Sequence, residues 1–94
     1  MREYELMLVL DPTLDEEGTH AATERVQAFV TSHGGELLGL DSMGRRRLAY
    51  AIKHHRDGIY TVARLRMDAK VADDLDRSLK LTDQVIRHLL IRKD

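Results

Sequence analysis

The side chains in this sequence that could do chemistry are mostly cations and histidines, and their spacing suits holding an anion better than transforming a substrate. Arg45, Arg46 and Arg47 are consecutive, Arg87 interrupts an apolar run, Arg92 and Lys93 follow that run, and Arg2 and Arg64 stand apart. A guanidinium presents several N–H donors in a fixed fork that matches the oxygens of a phosphate or carboxylate. The triplet could contact RNA, or it could be a solvated strand in which alternate arginines extend their stems over the sheet, and on spacing alone the second reading is favoured. Arg87, Arg92 and Lys93 are the stronger phosphate candidates, because an apolar strand has little other use for exposed cations.

The histidines argue against catalysis and against a metal. His54 and His55, near Asp57, are of ligand type, but adjacent residues point to opposite sides and no third ligand stands by. His20, His33 and His88 have no serine or carboxylate spaced to complete an acid–base unit. Cysteine is absent, which removes disulfides, thiolate nucleophiles and Cys-ligated metals. A small phosphate-cleaving enzyme of acylphosphatase type would need a glycine-rich loop and an arginine after its first strand. Here that loop reads Asp11-Pro12-Thr13-Leu14-Asp15, which repels phosphate. No enzymatic activity, metal or cofactor is expected. Tyr4, Tyr50 and Tyr60 could stack on bases, yet in a chain with four aromatics packing claims them first.

Ninety-four residues suffice for one modest core, so residues 1–94 read as a single domain. No apolar run approaches the roughly 20 residues that span a bilayer, and the N-terminus carries no cleavage-site pattern, so a cytoplasmic protein is expected. The net charge of −1 conceals an asymmetry. Residues 1–43 hold two basic and nine acidic side chains, and residues 44–94 hold thirteen basic and seven acidic. A basic side that could meet phosphate is the reading this favours.

Six elements must position these groups. Tyr4, Leu6, Leu8 and Leu10 alternate with Glu3, Glu5, Met7 and Val9, a strand that Pro12 stops. Thr13 or Asp15 can cap a following helix, whose stripe of Ala22, Val26, Phe29, Val30 and His33 runs to Gly34-Gly35. Glu36 to Ile52 fits no single period-2 phase, which predicts a long strand with a bulge near a glycine. A turn over Lys53-His54-His55-Arg56-Asp57-Gly58 leads to a strand with Ile59, Thr61, Ala63, Leu65 and Met67 on one face and Tyr60, Val62, Arg64 and Arg66 on the other. Asp68 can cap a second helix with Val71, Ala72, Leu75 and Leu79 inward and Asp73, Asp74, Asp76, Arg77 and Lys80 toward water. Thr82-Asp83 ends it, and Val85 to Ile91 forms a last strand. The order βαββαβ predicts an α+β, ferredoxin-like sandwich: a four-stranded antiparallel sheet with both helices on one face. Leu8, Val26, Val30, Leu65 and Leu75 are expected at the sheet–helix interface. Met7, Val9, Tyr60, Val62, Arg64 and Arg66 are expected on the open face.

Along nearly its full length the chain resembles the bacterial small-subunit ribosomal protein S-six family. Gly44-Arg45-Arg46-Arg47-Leu48-Ala49-Tyr50-Ala51-Ile52 is similar to the family's Gly-x-Arg-Arg-Leu-Ala-Tyr-Pro-Ile signature. Arg2-x-Tyr4-Glu5, Asp57-Gly58-x-Tyr60 and Leu81-x-Asp83-x-Val85-Ile86-Arg87 match further family motifs in the right order. Ala51 departs from the family proline and restores a backbone donor, and the chain ends at Asp94, short of the tail that many members carry.

The resemblance implies a structural constituent of the small ribosomal subunit that binds small-subunit ribosomal RNA together with ribosomal protein S-eighteen and is a monomer when free. It implies RNA contacts among Arg2, Arg45, Arg46, Arg47, Arg64, Arg87, Arg92 and Lys93, and partner-protein contacts among Leu48, Tyr50, Ile52 and Tyr60. The alternative is a general RNA-recognition module on the same topology, which calls for aromatic stacking residues on the central strands, where Asp57-Gly58-Ile59-Tyr60 is only a faint echo. A ligand-sensing homodimer is a further alternative, distinguished by concentration-dependent dimerisation.

Overall fold

The structure, a computed structural model, describes residues 1–93. Its elements run β1 (Arg2–Leu10), α1 (Glu16–Ser32), β2 (Glu36–Ile52), β3 (His55–Met67), α2 (Ala69–Lys80) and β4 (Val85–Arg92). The strands form one antiparallel sheet in the order β2-β3-β1-β4. This is the α+β, ferredoxin-like arrangement that the element order predicts.

Strand alternation decides which face the helices cover. Tyr4, Leu6, Leu8 and Leu10 of β1 and Ala63, Leu65 and Met67 of β3 are buried in one cluster with Ala22, Val26 and Val30 of α1 and Val71, Ala72, Leu75 and Leu79 of α2. Each fully buried leucine contributes about 1.5–3 kcal/mol relative to exposure, so this layer dominates stability. The five interface residues predicted from periodicity all lie in it. Asp15 caps α1 by accepting from the Gly18 amide at 2.7 Å. Thr13 is not a cap, because its amide and hydroxyl both donate to Asp11. His33 is exposed rather than part of the apolar stripe, and its ring Nδ1 lies 2.7 Å from the Phe29 carbonyl at the end of α1. Asp68 occupies the N-cap position of α2 without a side-chain capping bond.

Strand β2 breaks register with β3 between Leu37 and Gly39, between Ser42 and Gly44, and between Arg47 and Ile52. Gly44 has φ +74, a left-handed conformation that a side chain would strain. The hairpin turn is shorter than the sequence indicates. Lys53 (φ 48) and His54 (φ 70) alone form it, both left-handed as a two-residue type I′ connection requires. Arg56, Asp57 and Gly58 already belong to β3, with Asp57 opposite Arg47 and Gly58 opposite Arg46.

Candidate nucleic-acid interface

Paired residues of an antiparallel sheet share a face, so the register sorts the cations. On the face away from the helices one row holds Gly39, Arg64, Glu5 and Ile91, the next Asp41, Val62, Met7 and Leu89, and the third Gly44, Tyr60, Val9 and Arg87. Arg46, opposite Gly58, extends this face, whereas Arg45 and Arg47 alternate to the other side.

The segment from Arg46 to Ile52 builds the distinctive part of this face. Between the Arg47–Asp57 and Ile52–His55 pairs, residues 48–51 stand against Arg56 alone. The surplus arches over the open face, and Leu48 lands on Val9 of β1 and Ile86 of β4, with Ile52 and Tyr60 packed against them. This forms a second, smaller core. Gly58 lies beneath it: a Cβ there would overlap Val9 Cγ1 and sit 3.6 Å from Leu48 Cδ2. The β4 bulge opposite Val9 and Leu10 lets Ile86 turn into the same cluster. Tyr50, at the crest of the arch, is 64% exposed, and its hydroxyl accepts from Arg87 Nη1 at 3.1 Å. Beside this pair lies a hollow of about 190 Å³ lined by Met7, Val9, Tyr60, Arg87, His88 and Leu89.

The eight cations expected at RNA do not form one patch. Arg2 starts β1 opposite Met67, Arg92 lies opposite Tyr4, and the Lys93 amide donates to the Glu3 carbonyl, so these three gather at one end of the β1–β4 pair. Arg87 is five residues back along β4, about 17 Å away. Arg64 sits between the two ends on the open face. Arg45 is tied to the fold, its Nη2 donating to the Pro12 carbonyl at 2.7 Å. Arg46 donates to the Met43 carbonyl at 3.2 Å. Arg47 is exposed at the strand edge.

Of the four residues expected at a partner protein, Leu48 is 8% exposed and belongs to the small core. Ile52 and Tyr60 are half-buried against it, and Tyr50 alone stands out. Val9, expected on an open surface, is likewise sealed at 4% exposure, because the arch covers it. On the central strands the open face presents Glu5, Met7, Tyr60, Val62 and Arg64, with Tyr60 the single aromatic among them.

Sequence reasoning missed one pair. His88 shares the helix-covered side with Leu8 and Leu90, its side chain is 11% exposed, and its Nε2 lies 2.7 Å from Asp76 Oδ1 on α2. Lys80 Nζ is 3.3 Å from the other oxygen of Asp76. The hydrogen bond to His88 foremost, and Lys80 with it, holds the Asp76 carboxyl below its ordinary value against a smaller opposing effect of burial. Asp76 therefore does not simply face water. The available signal was a polar ring at a core-facing position of β4, which demands a partner.

The pattern that defines the family described as Ribosomal protein S6 matches residues 3–92. The chain belongs to the ribosomal protein S6 family. It is 43% identical to the protein of Carboxydothermus hydrogenoformans named small ribosomal subunit protein bS6, over 100% of this chain and 98% of that one. It is 41% identical to the protein of the same name from Symbiobacterium thermophilum, over 98% and 97% of the two chains. The crystal structure of 30S ribosomal protein S6 from Thermotoga maritima superposes with a TM-score of 0.91 at 31% identity, covering 98% of this chain and 87% of that one. The C-terminal domain of the MgtC protein from Mycobacterium tuberculosis reaches 0.66 at 18% identity, over 99% and 88% of the chains, and shows the fold alone. Membership of the S6 family makes the chain a structural, non-enzymatic component of the small ribosomal subunit, hence of the cytoplasmic ribosome. Among the described residues no helix is long and apolar enough to cross a membrane.

Proposed function

We propose that this S6-family chain binds small-subunit ribosomal RNA jointly with ribosomal protein S-eighteen, and that it is a monomer when free. The observation that carries the reading is the distribution of ion pairs. Arg66, Arg77 and Lys80 are matched to carboxylates, whereas Arg46, Arg47, Arg64, Arg87 and Lys93 have no such match among the described residues. Cations left without counter-charge on the basic half of the chain are available to phosphate, and each phosphate neutralised releases condensed counterions. A net charge of −1 gives the whole molecule little attraction for RNA on its own. A second protein that completes the surface supplies the remainder, and of the residues expected to meet it Ile52 and Tyr60 stand half-buried beside the arch.

The test replaces Arg87, Arg92 or Lys93 by Ala and measures assembly with the partner on a central-domain RNA fragment across a salt series. The expected result is an unfolding midpoint close to the parent, weaker assembly, and a log–log salt slope flatter by about one unit for each lost contact. If all three variants keep both affinity and slope, β4 is not the RNA edge.

A further inference from the structure

We infer that Tyr50 is a positioning residue for RNA binding: its hydroxyl holds the Arg87 guanidinium over the open sheet face, where the guanidinium meets a phosphate. The inference rests on the reading of Arg87 as an RNA contact. Tyr50 belongs to β2 and Arg87 to β4, the two opposite edges of the sheet, and they meet only because the arch crosses the strands between. The arch does not depend on Tyr50 for its seat. Leu48, buried on Val9 and Ile86, anchors it two residues earlier, so the exposed tyrosine ring is spare for another task.

What the hydroxyl does for Arg87 follows from the chemistry of the two groups. A phenol oxygen accepts a hydrogen bond without neutralising the cation, and one N–H given to it leaves the other guanidinium donors free for a two-pronged contact with phosphate. Among the described residues no carboxylate competes for Arg87, and Tyr50 is its one hydrogen-bond partner. A long side chain on an exposed strand would otherwise lose rotamer freedom on binding, and an arginine already held in place loses less. Arg87 also borders the hollow that Met7, Val9, Tyr60 and Leu89 line, so its orientation governs how the RNA backbone approaches that part of the face.

The experiment measures assembly of the full chain and the partner protein on central-domain RNA with Y50F, R87A and the double variant, each across a salt series, alongside thermal unfolding. Y50F deletes the hydroxyl and keeps the ring. It should retain the parent unfolding midpoint and salt slope yet bind RNA roughly two- to tenfold more weakly, the equivalent of one net hydrogen bond. R87A should weaken binding and flatten the slope by about one unit, and adding Y50F to it should change nothing more. Parent-like affinity for Y50F overturns the inference, as does an equal loss in the R87A background, which would make Tyr50 a direct contact with RNA or partner. A silent R87A also overturns it, by a distinguishable route, since the RNA reading of Arg87 then fails first.

Discussion

His88 faces the helices from a strand whose neighbouring inward positions are apolar, and the Asp76 carboxylate makes that placement tolerable. The pair joins α2 to β4, and Lys80 is the one further charged group within ion-pair distance of Asp76 among the described residues. Because the folded-state value of Asp76 lies below the ordinary 3.8, its contribution to stability is complete above that pH and is lost as pH falls below it. Asp76→Asn should therefore flatten the acid limb of stability. Thermal midpoints measured from about pH 5 to pH 2 should fall less steeply for the variant than for the parent below about pH 3.8, and parallel curves would contradict the assignment. Asp11, whose carboxyl is also lowered by its bonds to Thr13, titrates in both proteins and does not disturb the comparison. Single residues were unevenly legible in the sequence. Alternation separates Arg46 from Arg45 and Arg47, but the bond from Arg45 to the Pro12 carbonyl depends on where a distant loop comes to rest.

Among the elements, both helices and the faces of β1 and β3 were readable because their periodicities are clean and one side is buried throughout. Strand β2 was not. Its three register breaks are set by tertiary contacts, above all the seat that Val9 and Ile86 offer to Leu48, and period-2 patterning carries no information about four residues standing against one. The two-residue turn was hidden for a related reason: Lys53 and His54 are not the glycine or asparagine that usually mark left-handed positions. Gly58 is the element-scale point of failure. Val9 is sealed beneath the arch and cannot swing aside, so Gly58→Ala should overpack this cluster and destabilise the protein by about 1–3 kcal/mol in urea unfolding. An unchanged midpoint would mean that the arch seats itself without the close approach at Gly58.

At the scale of the molecule, the charge asymmetry anticipated a basic region but not its division. The chain folds Arg2, Arg92 and Lys93 to one end of the β1–β4 pair and Arg46 and Arg87 toward the other, with the acidic α1 start on the helix side. Two separated cationic points on a nearly neutral protein grip RNA weakly alone and gain from a neighbour that fixes their orientation, which is the physical content of joint binding. The most direct measurement is the affinity of the full chain for a central-domain small-subunit RNA fragment at one stated salt concentration, with and without ribosomal protein S-eighteen. Joint binding predicts weak affinity alone and a gain of well over an order of magnitude with the partner present. Equally tight binding in its absence would contradict it.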